Sequence, residues 1–315
     1  MDDGKGTLAR RASPFLIVLA ALLSWPASAP RGQEPQVFRA QSDLVVLHVN
    51  VFDGKSDAVP NLPQEVFHVV EDNVPQRVTF FTNEDLPVAV GLLIDNSSSM
   101  LTRRHMIAAG TDAFAASSHR EDQVFTILFN EHVTPGLPPG MPFTQSPGMV
   151  QASLRKVPPG GRTAFHDAVI AGLSHIEQAS HQKHVLIALS DGDDNASRYS
   201  ERQMFARAAA SNALIYTIST ANLDPGVGNQ RLLKRLAERT GGVTYEPRNE
   251  QDVVTAFGEI AANIRRGYSL GYVPTNSATD GRFRKVSVAV RARGLKNLRV
   301  SARDGYVASD QAEPD

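Results

Sequence analysis

Four apolar runs, each ending in a polar residue and each followed by a stretch of different rhythm, constrain this chain more than any other feature. They read "VAVGLLID" (88–95), "QVFTILFN" (123–130), "HVLIALSD" (184–191) and "ALIYTIST" (213–220). Unbroken hydrophobicity over a strand's length fits a strand covered on both faces, as in a parallel sheet. The intervening segments supply the cover. Met100, Ile107 and Phe114 recur at sevenfold spacing, and Phe165, Val169, Leu173 and Ile176 recur at steps of four and three, which is helical periodicity. Strands alternating with amphipathic helices predict an α/β domain with a doubly wound, mostly parallel, Rossmann-like sheet. Its last helix is "EQDVVTAFGEIAANIRRG" (250–267), closed by Gly267 and carrying Arg265 and Arg266 in the final turn, where the helix dipole favours cations.

Either side of this domain the rhythm has period two. "DLVVLHVNVFD", "EVFHVVEDN" and "VPQRVTFFTN" precede it, and "YSLGYVP", "FRKVSVAVRA" and "LRVSARDGYVA" follow it. Such alternation marks half-buried strands. The expected organisation is an N-terminal β segment over 33–85, the α/β domain over 86–267, and a C-terminal β segment and tail over 268–315. In the simplest arrangement the flanking strands pair with each other, so that the α/β domain is inserted into a small β-sandwich.

At the start, Arg10 and Arg11 precede the apolar run "PFLIVLAALLSW", and Ala27 and Ala29 follow in an A-x-A arrangement. That is the layout of a secretory signal, and the run is short for a bilayer span. Residues 1–32 are therefore expected to be signal peptide and linker, with the protein secreted or held in the periplasm or cell envelope. Retention of the segment as a membrane anchor is the alternative. A formal net charge of −1, with Lys and Arg spread along the chain, argues against nucleic acid as a partner. The absence of cysteine excludes disulfides, thiolate zinc sites and a catalytic thiol.

Functional groups of open α/β sheets gather beyond the carboxyl ends of the strands. Three segments put oxygen-bearing residues there: Asp95-Asn96-Ser97-Ser98-Ser99, the "PPGGRTAFHDA" loop that delivers Thr163 to a helix start, and "ALSDGDDN" with Asp191. Asp95, Ser97, Ser99, Thr163 and Asp191 are all hard donors, which suit Mg²⁺, Mn²⁺ or Ca²⁺ better than zinc or copper. With two carboxylates in the set, a divalent ion is neutralised and can still attract an outside carboxylate.

The Asp95-x-Ser97-x-Ser99 motif, the Gly-Gly-x-Thr loop and the Ser-Asp-Gly turn together resemble the metal-ion-dependent adhesion site of von Willebrand factor type A (VWA) domains. The resemblance implies that Asp95, Ser97, Ser99 and Thr163 approach the ion, that Asp191 contributes directly or through water, and that an Asp or Glu of a protein partner completes the shell. The flanks, "FRAQSDLV", "FHVVEDNVPQRVTFF", "YSLGYVP", "FRKVSVAV" and "DGYVA", are similar to exported bacterial VWA-related proteins of the acidobacterial type.

Rival readings are weaker. Gly267-Tyr268-Ser269-Leu270-Gly271 satisfies G-x-S-x-G, but a helix precedes it and a strand continues through it, the reverse of a nucleophile elbow. Asp191-x-Asp193-x-Asn195 opens like a calcium loop, yet Ala196 and Arg202 stand where Gly and Glu are required. Asp95, Thr163 and Asp167 could each cap a helix. The expectation is a non-enzymatic, cation-dependent binding protein, with Mg²⁺ the first choice of ion; a metal-dependent hydrolase and a structural envelope component are the alternatives.

Overall fold

The chain opens with four short strands: β1 (Val45–Phe52), β2 (Phe67–Glu71), β3 (Val74–Gln76) and β4 (Val78–Thr82). The computed structural model describes residues 44–54, 57–223 and 228–308; the predicted secretion signal lies outside the described residues. "VPQRVTFFTN", which reads as one strand, is two. β3 pairs with β2 across a tight turn in which Asp72 and Asn73 have positive φ of 45° and 68°, the conformation that Asp and Asn tolerate best. β4 then leaves for the other sheet, where it pairs with residues 269–272.

The α/β domain runs β5 (Ala89–Asp95), α1 (Arg104–Ser117), β6 (Gln123–Phe129), β7 (Val133–Pro135), α2 (Pro147–Ser153), α3 (Phe165–Ile176), β8 (His184–Ser190), α4 (Glu201–Ala210), β9 (Leu214–Ser219), α5 (Gln230–Thr240), β10 (Thr244–Tyr245) and α6 (Glu250–Arg266). The strands form one sheet in the order β10-β9-β8-β5-β6-β7. Every pairing is parallel except β7 on β6. All seven residues of β5 are buried, because both faces of the strand are covered. Val90, Leu92 and Ile94 point toward α1, α2 and α6, whereas Ala89 and Leu93 point toward α3, α4 and α5. The doubly wound reading of the four apolar runs is therefore what the chain adopts. Helices α1 and α6 cross closely at Gly110, where a Cβ would meet the Phe257 ring at 2.4 Å.

After α6 come β11 (Tyr268–Tyr272), β12 (Phe283–Val290), β13 (Arg299–Ser301) and β14 (Gly305–Val307). They pair with the opening strands in two sheets of order β13-β1-β11-β4 and β14-β12-β2-β3. Leu47, Val49, Val51, Leu270 and Tyr272 from one sheet share a core with Phe67, Val69 and Val286 from the other. The α/β domain is thus inserted into a β-sandwich built from both flanks. Helix α6 hands over to β11 through Gly267 alone. Its φ of −73° and ψ of 164° are extended, so no left-handed cap forms. Glycine is suited there because a Cβ would press on Asn50 Oδ1 at 2.9 Å and on the Asn263 carbonyl at 3.1 Å.

The other face of β1 meets the α/β domain. Asn50 Nδ2 donates to the Tyr216 hydroxyl of β9 at 2.9 Å, while on the same face the His48 ring pairs with Ser269 of the neighbouring strand β11 at 3.0 Å. The Ser301 hydroxyl donates to the carbonyls of Gly241 and Gly242 after α5, and Arg303 donates to Asn212 and to the Ala209 carbonyl ahead of β9. These contacts gather at the amino ends of the central strands. The carboxyl ends lie at the opposite pole.

Candidate metal centre

At that pole β5 ends in Asp95 and β8 ends in Ser190, both with 0% exposure. Ile94 pairs with Leu189 in the parallel ladder, so Asp95 and Ser190 are the next neighbours across the two strands. The Ser190 hydroxyl donates to Asp95 Oδ2 at 2.6 Å and accepts the Gly192 N–H at 3.0 Å. The other carboxylate oxygen of Asp95 accepts the Ser97 N–H at 2.9 Å. This short loop folds the chain back over the strand end and points Ser97 and Ser99 the same way: their hydroxyls lie 3.1 Å apart. Ser99 in turn donates to Asp191 Oδ2 at 2.9 Å. Asp95, Ser97, Ser99 and Asp191 are therefore joined in one hydrogen-bonded chain.

Thr163 reaches the same edge through its backbone. The loop before it docks on the serine turn, with the Ser98 N–H donating to Gly161 O at 3.1 Å and the Gly160 N–H to Asn96 O at 2.9 Å. Gly161 has φ of 82°, a backbone conformation that favours glycine, and the Glu131 carboxylate closes over the space a Cβ would take. Glu131 also accepts the Arg162 N–H at 2.7 Å. On its other side Thr163 is fixed by Asn195, which accepts the Thr163 N–H at 2.9 Å and donates its own N–H to the Thr163 carbonyl at 2.9 Å. No hydrogen bond among the described residues joins the Thr163 hydroxyl to the other four.

The donor set fits a small hard cation. Adjacent ligands of an octahedron with bonds of about 2.1 Å are about 3.0 Å apart. The Ser97–Ser99 and Ser99–Asp191 hydrogen bonds of 3.1 and 2.9 Å hold these oxygens at a spacing that two such edges could take over. Among the described residues no three His, Cys, Asp or Glu side chains cluster as a metal site would need, so any ion here depends on hydroxyls beside two carboxylates. That chemistry belongs to Mg²⁺, Mn²⁺ or Ca²⁺.

The electrostatics point the same way. Burial pushes the Asp95 carboxyl up from 3.8 to about 6; repulsion from Asp191 adds to the rise, and the hydrogen bonds from Ser190 and Ser97 oppose it. Burial and the neighbouring Asp191 also raise Asp193. No cation among the described residues is set against Asp95, and a bound metal ion would supply that counter-charge.

None of the expected capping roles is used. The N-cap position of the turn after β5 belongs to Ser97 and that of α3 to Ala164, neither with a side-chain cap bond. Asp167 instead accepts the N–H groups of Arg198 and Tyr199. Asp193 donates its N–H to Asp191 Oδ1 at 3.1 Å and so braces that carboxylate. Ser269 sits inside β11, with no strand-to-helix turn around it. Sequence reasoning overlooked Ser190, Glu131 and Asn195. The runs "VAVGLLID" and "HVLIALSD" both end in Asp, which invites aligning Asp95 with Asp191. The true register is one residue earlier and sets Ser190 beside Asp95, leaving Asp191 just beyond the sheet.

With this geometry in hand, residues 90–193 match the family model described as von Willebrand factor type A domain, and the chain carries a domain of that family. No curated protein matches the chain. Among solved structures, a von Willebrand factor type A protein from Catenulispora acidiphila aligns at 16% identity and a TM-score of 0.50, covering 84% of this chain and 75% of that one. An aerotolerance-related membrane protein from Bacteroides fragilis aligns at 15% identity and 0.47, covering 56% and 98%. BatB from Bacteroides thetaiotaomicron aligns at 14% and 0.41, covering 56% and 99%. At these identities the likeness is one of fold, and the first of the three carries it.

Proposed function

We propose that this protein binds a divalent cation, Mg²⁺ foremost, through Asp95, Ser97, Ser99, Thr163 and Asp191, and that the ion captures an Asp or Glu carboxylate of a protein partner outside the cytoplasm. The observation that carries this reading is the Ser97–Ser99–Asp191 chain of oxygens at octahedral edge spacing beside a buried carboxylate with no cation set against it among the described residues. The bound ion would supply a positive centre with exchangeable positions. The chain's own residues hold it: Ser190 and the Ser97 N–H orient Asp95, Asp193 braces Asp191, and Glu131 with Asn195 sets the Thr163 loop. The acceptors of the Ser99 and Ser190 hydroxyls are Asp191 and Asp95, which this reading assigns to the ion, and the protein is read as a binding module rather than an enzyme.

Titration calorimetry of chelator-treated protein with Mg²⁺, Mn²⁺ and Ca²⁺ tests the first half: uptake of one ion per chain is expected, and Ser99→Ala should weaken it at least tenfold, about 1.4 kcal/mol. Affinity capture from the native envelope in Mg²⁺ tests the second. Partners should elute with EDTA; capture indifferent to chelator would sink the carboxylate bridge, and Mg²⁺-dependent turnover of esters or phosphoesters would replace it with a hydrolase.

A further inference from the structure

On the α1 and α2 side of the sheet lies a cleft of about 280 Å³ that the metal centre does not use. Its lining divides into two chemical halves. Ile94 and Leu128, neighbours across β5 and β6 with 2% and 1% exposure, line it together with Ile107 and Leu154. Ile94 and Leu128 close the floor, and the apolar surface open to a ligand comes from Ile107, Leu154 and the exposed Ala108, enough for a short aliphatic chain. Arg104 and Arg155 make the cationic half.

The two arginines are differently placed. Arg104 is fixed: its Nη2 donates to the Leu154 carbonyl at 2.7 Å and to the Val157 carbonyl at 3.4 Å. Its other guanidinium nitrogens donate to nothing among the described residues, so a directed donor pair is held in place at little entropic cost. Arg155 is exposed and has no acidic partner among the described residues. The one carboxylate in the lining, Asp112, is occupied by Gln151 Nε2 from across the cleft. Two guanidinium groups against one engaged carboxylate leave the cleft short of negative charge, and the apolar surface is unsuited to a fully hydrated inorganic anion.

We propose that this cleft is a binding site for a small aliphatic carboxylate, whose head group is taken by Arg104 and Arg155 and whose chain lies against Ile107, Ala108 and Leu154. The proposal stands independently of the cation reading, because no residue of the metal set lines the cleft.

Hexanoate titrated into the full chain, followed by calorimetry and by amide chemical shifts, tests it, with hexylamine and inorganic phosphate as matched probes. Saturable binding of hexanoate is expected, with phosphate weaker and hexylamine silent. Arg155→Gln should weaken hexanoate about tenfold, the loss of one charge-assisted hydrogen bond. Ala108→Phe, at an exposed position on α1 that lines the cleft, should abolish binding by filling the space. Arg104→Gln removes a brace as well as a donor, so these two exposed variants decide the matter. Non-saturable shifts, equal binding of hexylamine, or unchanged affinity in both Arg155→Gln and Ala108→Phe would overturn the assignment.

Discussion

The two poles of the α/β domain handle buried charge in opposite ways. At the carboxyl pole Asp95 is desolvated beside a second acid and is braced by neutral donors alone. At the amino pole the buried acid is answered by a cation. Asp122, 1% exposed, accepts the N–H groups of Val88 and His119 and pairs with Arg265, which also reaches Asp85 and the Leu86 carbonyl. Lys183 is the exception there: it donates to the Ile264 carbonyl in the last turn of α6, and burial, with repulsion from Arg265 adding to it, lowers it to about 8. One pole is finished as a structure. The other keeps a desolvated acid beside a second one, with neutral donors as the only support among the described residues.

Cutting the finished pole should have the largest effect. Asp122→Ala strands Arg265 and two backbone donors, and urea unfolding should show a loss of about 3–5 kcal/mol. A loss near zero would mean the amino pole is no better paired than the site. Next in size is Asp95→Asn. The folded carboxyl titrates near 6 against an ordinary 3.8, so the metal-free fold is favoured most below the lower value and loses that advantage as pH rises through the upper one. At neutral pH the substitution should therefore stabilise chelated protein by about 3 kcal/mol, while abolishing any stabilisation by Mg²⁺. The amide can still accept the Ser97 N–H and donate to Ser190. Destabilisation of the chelated variant at neutral pH would show that Asp95 is already balanced.

A smaller effect of opposite sign belongs to the sandwich junction. Burial holds His48 down at about 3 from 6.5, with Lys183 and His184 adding to the shift. The stability it contributes is complete above the ordinary value and is lost as pH falls toward the depressed one. By about pH 5 the wild type should have lost about 2 kcal/mol that His48→Gln retains. Parallel denaturation curves of the two proteins at neutral and acid pH would remove the contrast between poles.

Much of this was readable in the chain. The four runs announced their strands because a strand buried on both faces has no polar position to interrupt it. The motif residues were readable because a carboxylate and hydroxyls at strand ends are costly unless used. What escaped was decided by partners distant in sequence. Nothing in "VPQRVTFFTN" says that Val74 and Val78 serve different sheets. The helix α2 spans only Pro147–Ser153, too few residues to display a period. Ser190 was hidden because a register offset of one residue is invisible until two strands are laid side by side.

The route of the chain has a mechanical consequence. Entry to the sandwich is β1 and exit is β14, and these strands lie in different sheets of it. Tension applied to the backbone before β1 and after β14 would shear those sheets against each other, while the inserted α/β domain hangs off the load-bearing line like a side branch. The geometry at its far tip would be kept under such a pull for as long as the sandwich holds.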